Sequence, residues 1–332
     1  MTRQWRRLAV LAAVAVALIV WTGPVVQAAW EPTKPIEFVI PAGTGGGADQ
    51  MARLIAGIVE KHKLSPRPII VVNKSGGAGA EGFLHVKGKK GDGHTMIITL
   101  SNLFTSPLHT GVPFSWKDLT PMARLALDEF ILWVNAETPY KTAKEYVAAV
   151  KERSGGDRMK MGGTGSAQED QILTIQLEQA TQGAKFTYVP FKGGGEVCVN
   201  LVGKHVDSTV NNPIECASHW KAGRVRPLAV FDTARITVPE WKDIPTLKEA
   251  LGADIAYLML RGIFGPPDMP KDALEWYQGV LKKVYDTPEF KDYLSQGALK
   301  PAWETGPEFV KWLGEAEALH RDLMTKGGLL KK

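Results

Sequence analysis

One local pattern recurs four times in this chain: an apolar strand-like run, a glycine-rich loop, then a helix-like run. IEFVI (36–40) leads into PAGTGGG (41–47) and ADQMARLIAGIVEKH (48–62). PIIVVN leads into NKSGGAGAEG (73–82), MKM into GGTGSAQED (162–170), and KFTYV into PFKGGGE (190–196). Glycine leaves backbone N–H groups bare and lets them converge. A helix N-terminus adds a partial positive charge behind them. Four such loops predict a cleft walled by helix N-termini and suited to an anion.

The alternation extends between the loops. Strand-like runs fall near 69–73, 95–100, 130–135, 158–161, 206–211 and 227–231, and helical patterns near 79–87, 142–152, 167–181, 195–203 and 213–222. Met51, Leu54, Ile55 and Ile58 lie on one helical face, and Ile172, Leu173, Gln176, Leu177 and Ala180 trace a second stripe. Such stripes are core packing. Alternating strand and helix predicts parallel sheets covered on both faces. After Pro270 the chain becomes amphipathic helix, with Asp272 and Thr305 as N-cap candidates. The loops form two clusters, 41–82 and 162–195, which predicts two α/β lobes: 29–123 with 230–332, and 124–229.

The first 28 residues read as a secretory signal. Arg3, Arg6 and Arg7 precede the apolar run LAVLAAVAVALIVW (8–21), and Val26-Gln27-Ala28 offers small residues for cleavage. The run is short of the ~20 residues that a span needs, so cleavage is expected rather than anchoring. Without those arginines the formal charge falls from +5 to +2, and no basic stripe with interleaved aromatics suggests nucleic acid. Export permits a disulfide between Cys198 and Cys216, the only cysteines. Both lie in apolar helical contexts, where free cysteine is also at home, and spacing leaves the pairing open.

Several chemistries fail on their residues. The G-x-G-x-x-G at Gly77, Gly79 and Gly82, and the related Gly43, Gly45, Ala48, would need an acid at the end of the following strand. Those strands end Val72-Asn73-Lys74 and Leu100-Ser101-Asn102. Gly47 is followed by Ala48-Asp49, so no phosphate-loop lysine is present, and G-x-S-x-G is absent. The seven histidines show no metal-ligand spacing. No cofactor, metal or catalytic pair is expected. Asp49 is either a first-turn acid favoured by the helix dipole or a group that fixes the loop or meets a ligand. Glu169 and Asp170 pose the same alternatives. Asn211-Asn212-Pro213 either caps a helix or presents two amides to a carboxylate.

The order KPIEFVIPAGTGGGADQMAR, VVNKSGGAGAEG, MGGTGS, VPFKGGGEVCVNLVGKHVD, KAGRVRPLAVF, IPTLKEA and TPEFKDYLSQGALKP resembles the periplasmic solute receptors of tripartite tricarboxylate transporters, the Bug-type family. The resemblance spans essentially the whole chain after the signal. It implies a type II-like, two-lobed Venus-flytrap fold with the ligand cleft between lobes. It further implies capture of a small organic carboxylate and delivery to integral membrane transporter subunits, with a monomeric receptor in the periplasm and no reaction catalysed. An exported enzyme acting on a carboxylate and a ligand sensor for a signalling partner are the alternatives.

On the family pattern, the loops at 41–49 and 75–79 hold one carboxylate, and 163–166 with strand ends near 192–194 and 211–212 hold the other end. The candidate contacts are Thr44, Gly45, Gly46, Gly47 and Asp49; Ser75, Gly76, Gly77 and Ala78; Ser101 and Asn102; Gly163, Thr164, Gly165, Ser166 and Glu169; Lys192, Gly193 and Gly194; Asn211 and Asn212; and Arg261. Two positions depart from the family. Glu169 stands where many members have histidine, and Leu260-Arg261 where many have an aromatic pair. A carboxylate gained and a cation moved into cleft positions would alter ligand preference.

Overall fold

The computed structural model describes residues 30–331, and the expected export signal, 1–28, lies outside them. Two sheets organise the described chain. The first comprises β1 (Ile36–Ile40), β2 (Ile69–Asn73), β3 (Thr95–Thr99), β4 (Thr120–Asp128), β10 (Met259–Gly265) and β11 (Lys300–Glu304), in the order β11-β4-β10-β3-β1-β2. The second comprises β5 (Ile131–Asn135), β6 (Lys160–Thr164), β7 (Thr187–Phe191), β8 (Ser208–Asn211) and β9 (Val225–Val230), in the order β7-β6-β8-β5-β9. β1 pairs in parallel with β2 and β3, and β6 with β7 and β8, as the alternation predicts. Each sheet also has an antiparallel part: β10 with β3 and β4, β11 with β4, and β5 with β8 and β9. The reversed strands beside the parallel sets are β5, which the chain enters directly from β4 of the first sheet, and β10, which it enters after β9 of the second.

The helices that follow the glycine loops are α1 (Gly47–Lys61), α2 (Ala80–Lys87), α5 (Glu169–Thr181) and α6 (Gly194–Val202). Between them lie α3 (Asn102–Thr110), after β3, and α4 (Ala143–Glu152), after β5; α7 (Pro213–Lys221) follows β8. The remaining helices are α8 (Leu247–Leu251), α9 (Lys271–Asp286), α10 (Pro288–Gln296) and α11 (Gly306–Lys326). α1 buries Met51, Ile55 and Ile58 of the expected face and leaves Leu54 half-buried. In α5, Ile172, Leu173 and Leu177 are buried, but Ala180 is exposed and Thr174 and Thr181 complete the inner stripe. Asp272 is not a cap. Pro270 holds that position, and Asp272 instead accepts from the Ala273 N–H. No helix among the described residues is long and apolar enough to cross a membrane.

Each sheet has its own core. Val39, Phe83, Ile97, Phe104, Phe264 and Phe309 pack within the first. Ile131, Trp133, Leu201, Val230 and Trp241 pack within the second. Ile236, Trp241 and Ile244, which follow β9, belong to this second core. Between the cores three segments lie side by side. The Phe231 N–H donates to the Phe130 carbonyl (2.9 Å), and the Tyr257 N–H to the Phe231 carbonyl (3.0 Å). Lys300 bridges Glu129 and Asp232 over the same place. Cys198 of α6 and Cys216 of α7 are joined as a disulfide with their α-carbons 5.7 Å apart.

Candidate functional site

All four glycine loops are held by the same device. An acid in the first turn of the following helix reaches back to a loop N–H. Asp49 accepts from Gly45 (3.0 Å), Glu81 from Gly76 (3.1 Å), Asp170 from Thr164 (2.6 Å) and Glu196 from Lys192 (3.1 Å). Charge-assisted bonds of this kind are about twice as strong as neutral ones, and the helix dipole favours the acid. Each loop is therefore fixed by its own chain, and one donor of each already faces a carboxylate. Asp49 also accepts from Asn73 and Arg53. Burial raises its carboxyl pKa, but the bonds from Arg53, Gly45 and Asn73 outweigh burial and hold it below the usual value. These bonds tie the loop to α1 and to Asn73 at the end of β2.

Two loops meet across the halves. The Gly43 N–H donates to the Lys192 carbonyl (2.9 Å). A β-carbon on Gly195 would lie 2.7 Å from the Gly45 carbonyl oxygen, so only glycine permits the approach. Between these loops sits Glu215 of α7, whose carboxylate accepts from the Gly47 N–H (2.8 Å) and the Asn212 N–H (3.2 Å). The other two loops stand apart. Ser75, Gly77 and Ala78 on one side, and Thr164, Gly165, Ser166 and Gln168 on the other, line a cavity of about 510 Å³. Pro41, Ala42, His109, Thr110, Pro190, Phe191, Lys192 and Glu196 complete its wall. Gln168 crosses to donate to the Ala78 carbonyl (3.0 Å).

Behind the contact lies a buried charge cluster. Arg261 of β10 has no exposed surface. It donates to Asp128 through Nε (2.9 Å) and Nη2 (2.5 Å), and through Nη2 to Asn212 (3.3 Å). The register of β10 against β4 shifts at Arg261/Gly262, the kind of irregularity that re-aims a side chain. Burial pushes the Glu169 and Glu215 carboxyls up to about 7, with Arg261 opposing and Asp128 reinforcing the rise. Burial also raises Asp128, against the pull of Arg261, and raises Asp170, to which Glu169 adds. Burial alone would lower the Arg261 pKa, but Asp128 and Glu215 lift it above its ordinary value. Glu169 Oε2, Asp128 Oδ1 and Arg261 Nη1 are buried without a hydrogen-bond partner.

A family model, described as tripartite tricarboxylate transporter family receptor, matches residues 51–329. The chain belongs to this receptor family. A relative from Cupriavidus necator, the UPF0065 protein of the gbd 5′ region, is 28% identical over 303 residues, covering 90% of this chain and 89% of its own. A TctC solute-binding protein from Polaromonas shares 27% identity at a TM-score of 0.62, over 89% of this chain and 99% of that one. A structure described as a periplasmic transporter shares 25% at a TM-score of 0.83, over 90% and 99%. The fold is that of two-lobed periplasmic binding proteins.

In this receptor the expected contacts divide into three groups. Ser75, Gly77, Ala78, Thr164, Gly165, Ser166 and Lys192 line the cavity. Gly45, Gly46, Gly47, Gly193 and Gly194 lie where the two other loops meet around Glu215, and Thr44 is exposed beside them. The rest are outside the cavity lining, most of them buried and Gly76 exposed. Ser101 bonds Tyr257, Asn102 donates to the Pro41 carbonyl, and Asn211 donates to the Gly194 carbonyl. Asn212 donates to the Glu129 carbonyl (2.7 Å) and accepts from Arg261, so both faces of its amide serve the scaffold. Gly163 lies under Tyr188 and Asp170, Gly76 is held by Glu81, and Glu169 is buried in the charge cluster. Sequence reasoning missed Glu215 and Gln168. Asn212-Pro-Ile-Glu215 is a capping-box spacing, and the Asn212 N–H donates to the Glu215 carboxylate as one half of such a box. That signal marks the acid as a helix-start residue but carries nothing about the second half of the molecule.

Proposed function

We propose that the receptor captures a small organic acid in the 510 Å³ cavity and delivers it to integral membrane subunits of its transporter. The observation that carries this reading is the pairing of like chemistry on opposed walls. Ser75 lines one side of the cavity and Thr164 and Ser166 the other, on loops already fixed by their own acids. The backbone N–H groups of Gly77 and Ala78 have no protein partner among the described residues and complete a set of donors for a carboxylate. Ser75, Gly77, Ala78, Thr164, Ser166 and Lys192 are the proposed contacts. No bond of the ligand is made or broken, and the receptor works in the periplasm as a monomer after cleavage of residues 1–28.

We take the lobes to meet at about 129 and 257, rather than at 124 and 230. What supports this is that β4 pairs within the first sheet through Asp128 and that Ile236, Trp241 and Ile244 pack in the second core. The test is a thermal-shift screen of mono-, di- and tricarboxylates, with recovery of each binder. A ligand at 100-fold excess over Kd adds about 2.7 kcal/mol of stability, and it should return chemically unchanged. Ser166→Ala should weaken binding roughly ten- to 150-fold, mainly through faster dissociation. Turnover of a recovered ligand would replace the receptor reading with the enzyme one.

A further inference from the structure

The two glycine loops that meet across the halves already hold a carboxyl group, and it is the protein's own. The Glu215 carboxylate accepts from Gly47 at the first turn of α1 (2.8 Å). It lies so close to Gly194, the first residue of α6, that a β-carbon there would be 1.9 Å from Oε2. Nearby, a β-carbon on Gly47 would be 2.4 Å from Arg261 Nη2, so the guanidinium backs the same spot. Glu215 therefore stands where the N-termini of α1 and α6 and a buried arginine converge. This is the place the glycine-loop pattern would give to a ligand carboxylate.

Resting on the carboxylate-receptor reading above, the geometry points to a narrower substrate class: Glu215 is a built-in second carboxylate, and the receptor takes organic monocarboxylates in preference to di- and tricarboxylates. Three further observations carry this. First, the contact between Gly43 and Lys192 closes the backbone around Glu215, which is not among the residues that line the open cavity. Second, an anion added beside Glu215 would meet other buried acids. Asp128 and Glu169 are buried in the same cluster with Arg261 as the guanidinium that faces them. Third, Ala42, Pro190 and Phe191 give the cavity an apolar wall beside its donors, a surface suited to the uncharged remainder of a monoacid. Glu196, on the same wall, would repel a second negative group.

Calorimetry with acids matched in carbon skeleton tests the proposal: hexanoate against adipate, pentanoate against glutarate, benzoate against terephthalate. In the unaltered receptor the monoacid of at least one pair should bind tenfold or more tightly than its diacid. Glu215→Ala, which vacates the spot, should move that ratio tenfold or more toward the diacid. Glu215→Gln, which keeps the space filled, should retain the monoacid preference, and its fold guards against misreading a collapsed Glu215→Ala. Tighter binding of the diacids by the unaltered receptor overturns the proposal while the receptor reading stands. An unchanged ratio in folded Glu215→Ala overturns it as well. Binding of no acid in any pair overturns the receptor reading and the proposal together.

Discussion

Arg261 lies wholly inside the molecule, on a fully buried strand, bonded to Asp128 and surrounded by Glu169 and Glu215. A buried ion pair adds little net stability, but breaking it leaves an uncompensated charge. Arg261→Met should therefore cost about 3–5 kcal/mol in urea unfolding, and adding Asp128→Leu should return part of that loss. The neighbouring acids make stability depend on pH. Glu169 and Glu215 have folded values near 7 against an ordinary 4.5. Between those two values the folded state holds the more protons, so these groups' contribution to stability falls as pH rises and levels off above 7. His320, which burial holds near 4, works the other way between 4 and 6.5. Substitution isolates one group. Relative to the unaltered receptor, Glu215→Gln should gain stability from pH 5 to pH 8, by up to about 3 kcal/mol. A flat difference across that range would remove Glu215 from the titrating cluster.

Among the elements, α6 and α7 are tied by the Cys198–Cys216 bond, which encloses 18 residues of sequence separation. Cross-links over loops of this size constrain the unfolded chain by about 3 kcal/mol. The double variant Cys198→Ala/Cys216→Ala should unfold earlier by that order in a denaturant titration. Reduction of the unaltered protein should do the same. The pairing was not legible in the sequence because eighteen residues of spacing fix no Cα separation. The strands flanking the glycine loops were legible, since a hydrophobic run ending in glycine announces both strand and turn. β10 was not: Arg261 and two glycines interrupt its apolar pattern, and only burial on both faces reveals it as a strand. β4 was hidden for a similar reason, because Pro121 and Arg124 break it up while Arg124 pairs with Glu304 of β11. The glycine-loop pattern predicts donors free for an anion, whereas one N–H of each loop is taken by the protein's own acid. Asp49, Glu81, Asp170 and Glu196 sit at first-turn positions, and sequence alone does not tell whether such an acid faces its own loop or a ligand.

At the scale of the whole molecule, approach of the halves depends on bare backbone at a few points. Gly195→Val would set a side chain against the Gly45 carbonyl, which lies within 2.7 Å of the position of its β-carbon. Both residues lie outside the two cores, so the variant should keep its unfolding midpoint while its radius of gyration in X-ray scattering rises. Affinity for any acid found in the screen should drop by tenfold or more. An unchanged scattering curve would mean that the halves stay together without this contact.

Phe130, Phe231 and Tyr257 form three backbone leaves joined by hydrogen bonds where the chain passes between the halves, with Lys300 bolted across Glu129 and Asp232. Three leaves resist twisting in a way that one or two would not. Any opening of the halves should then run along a single angle, as a door turns on a long hinge. A single pair of spectroscopic labels, one on each half, would then report the state of the entire machine. A membrane partner could likewise tell a loaded receptor from an empty one by gauging a single gap.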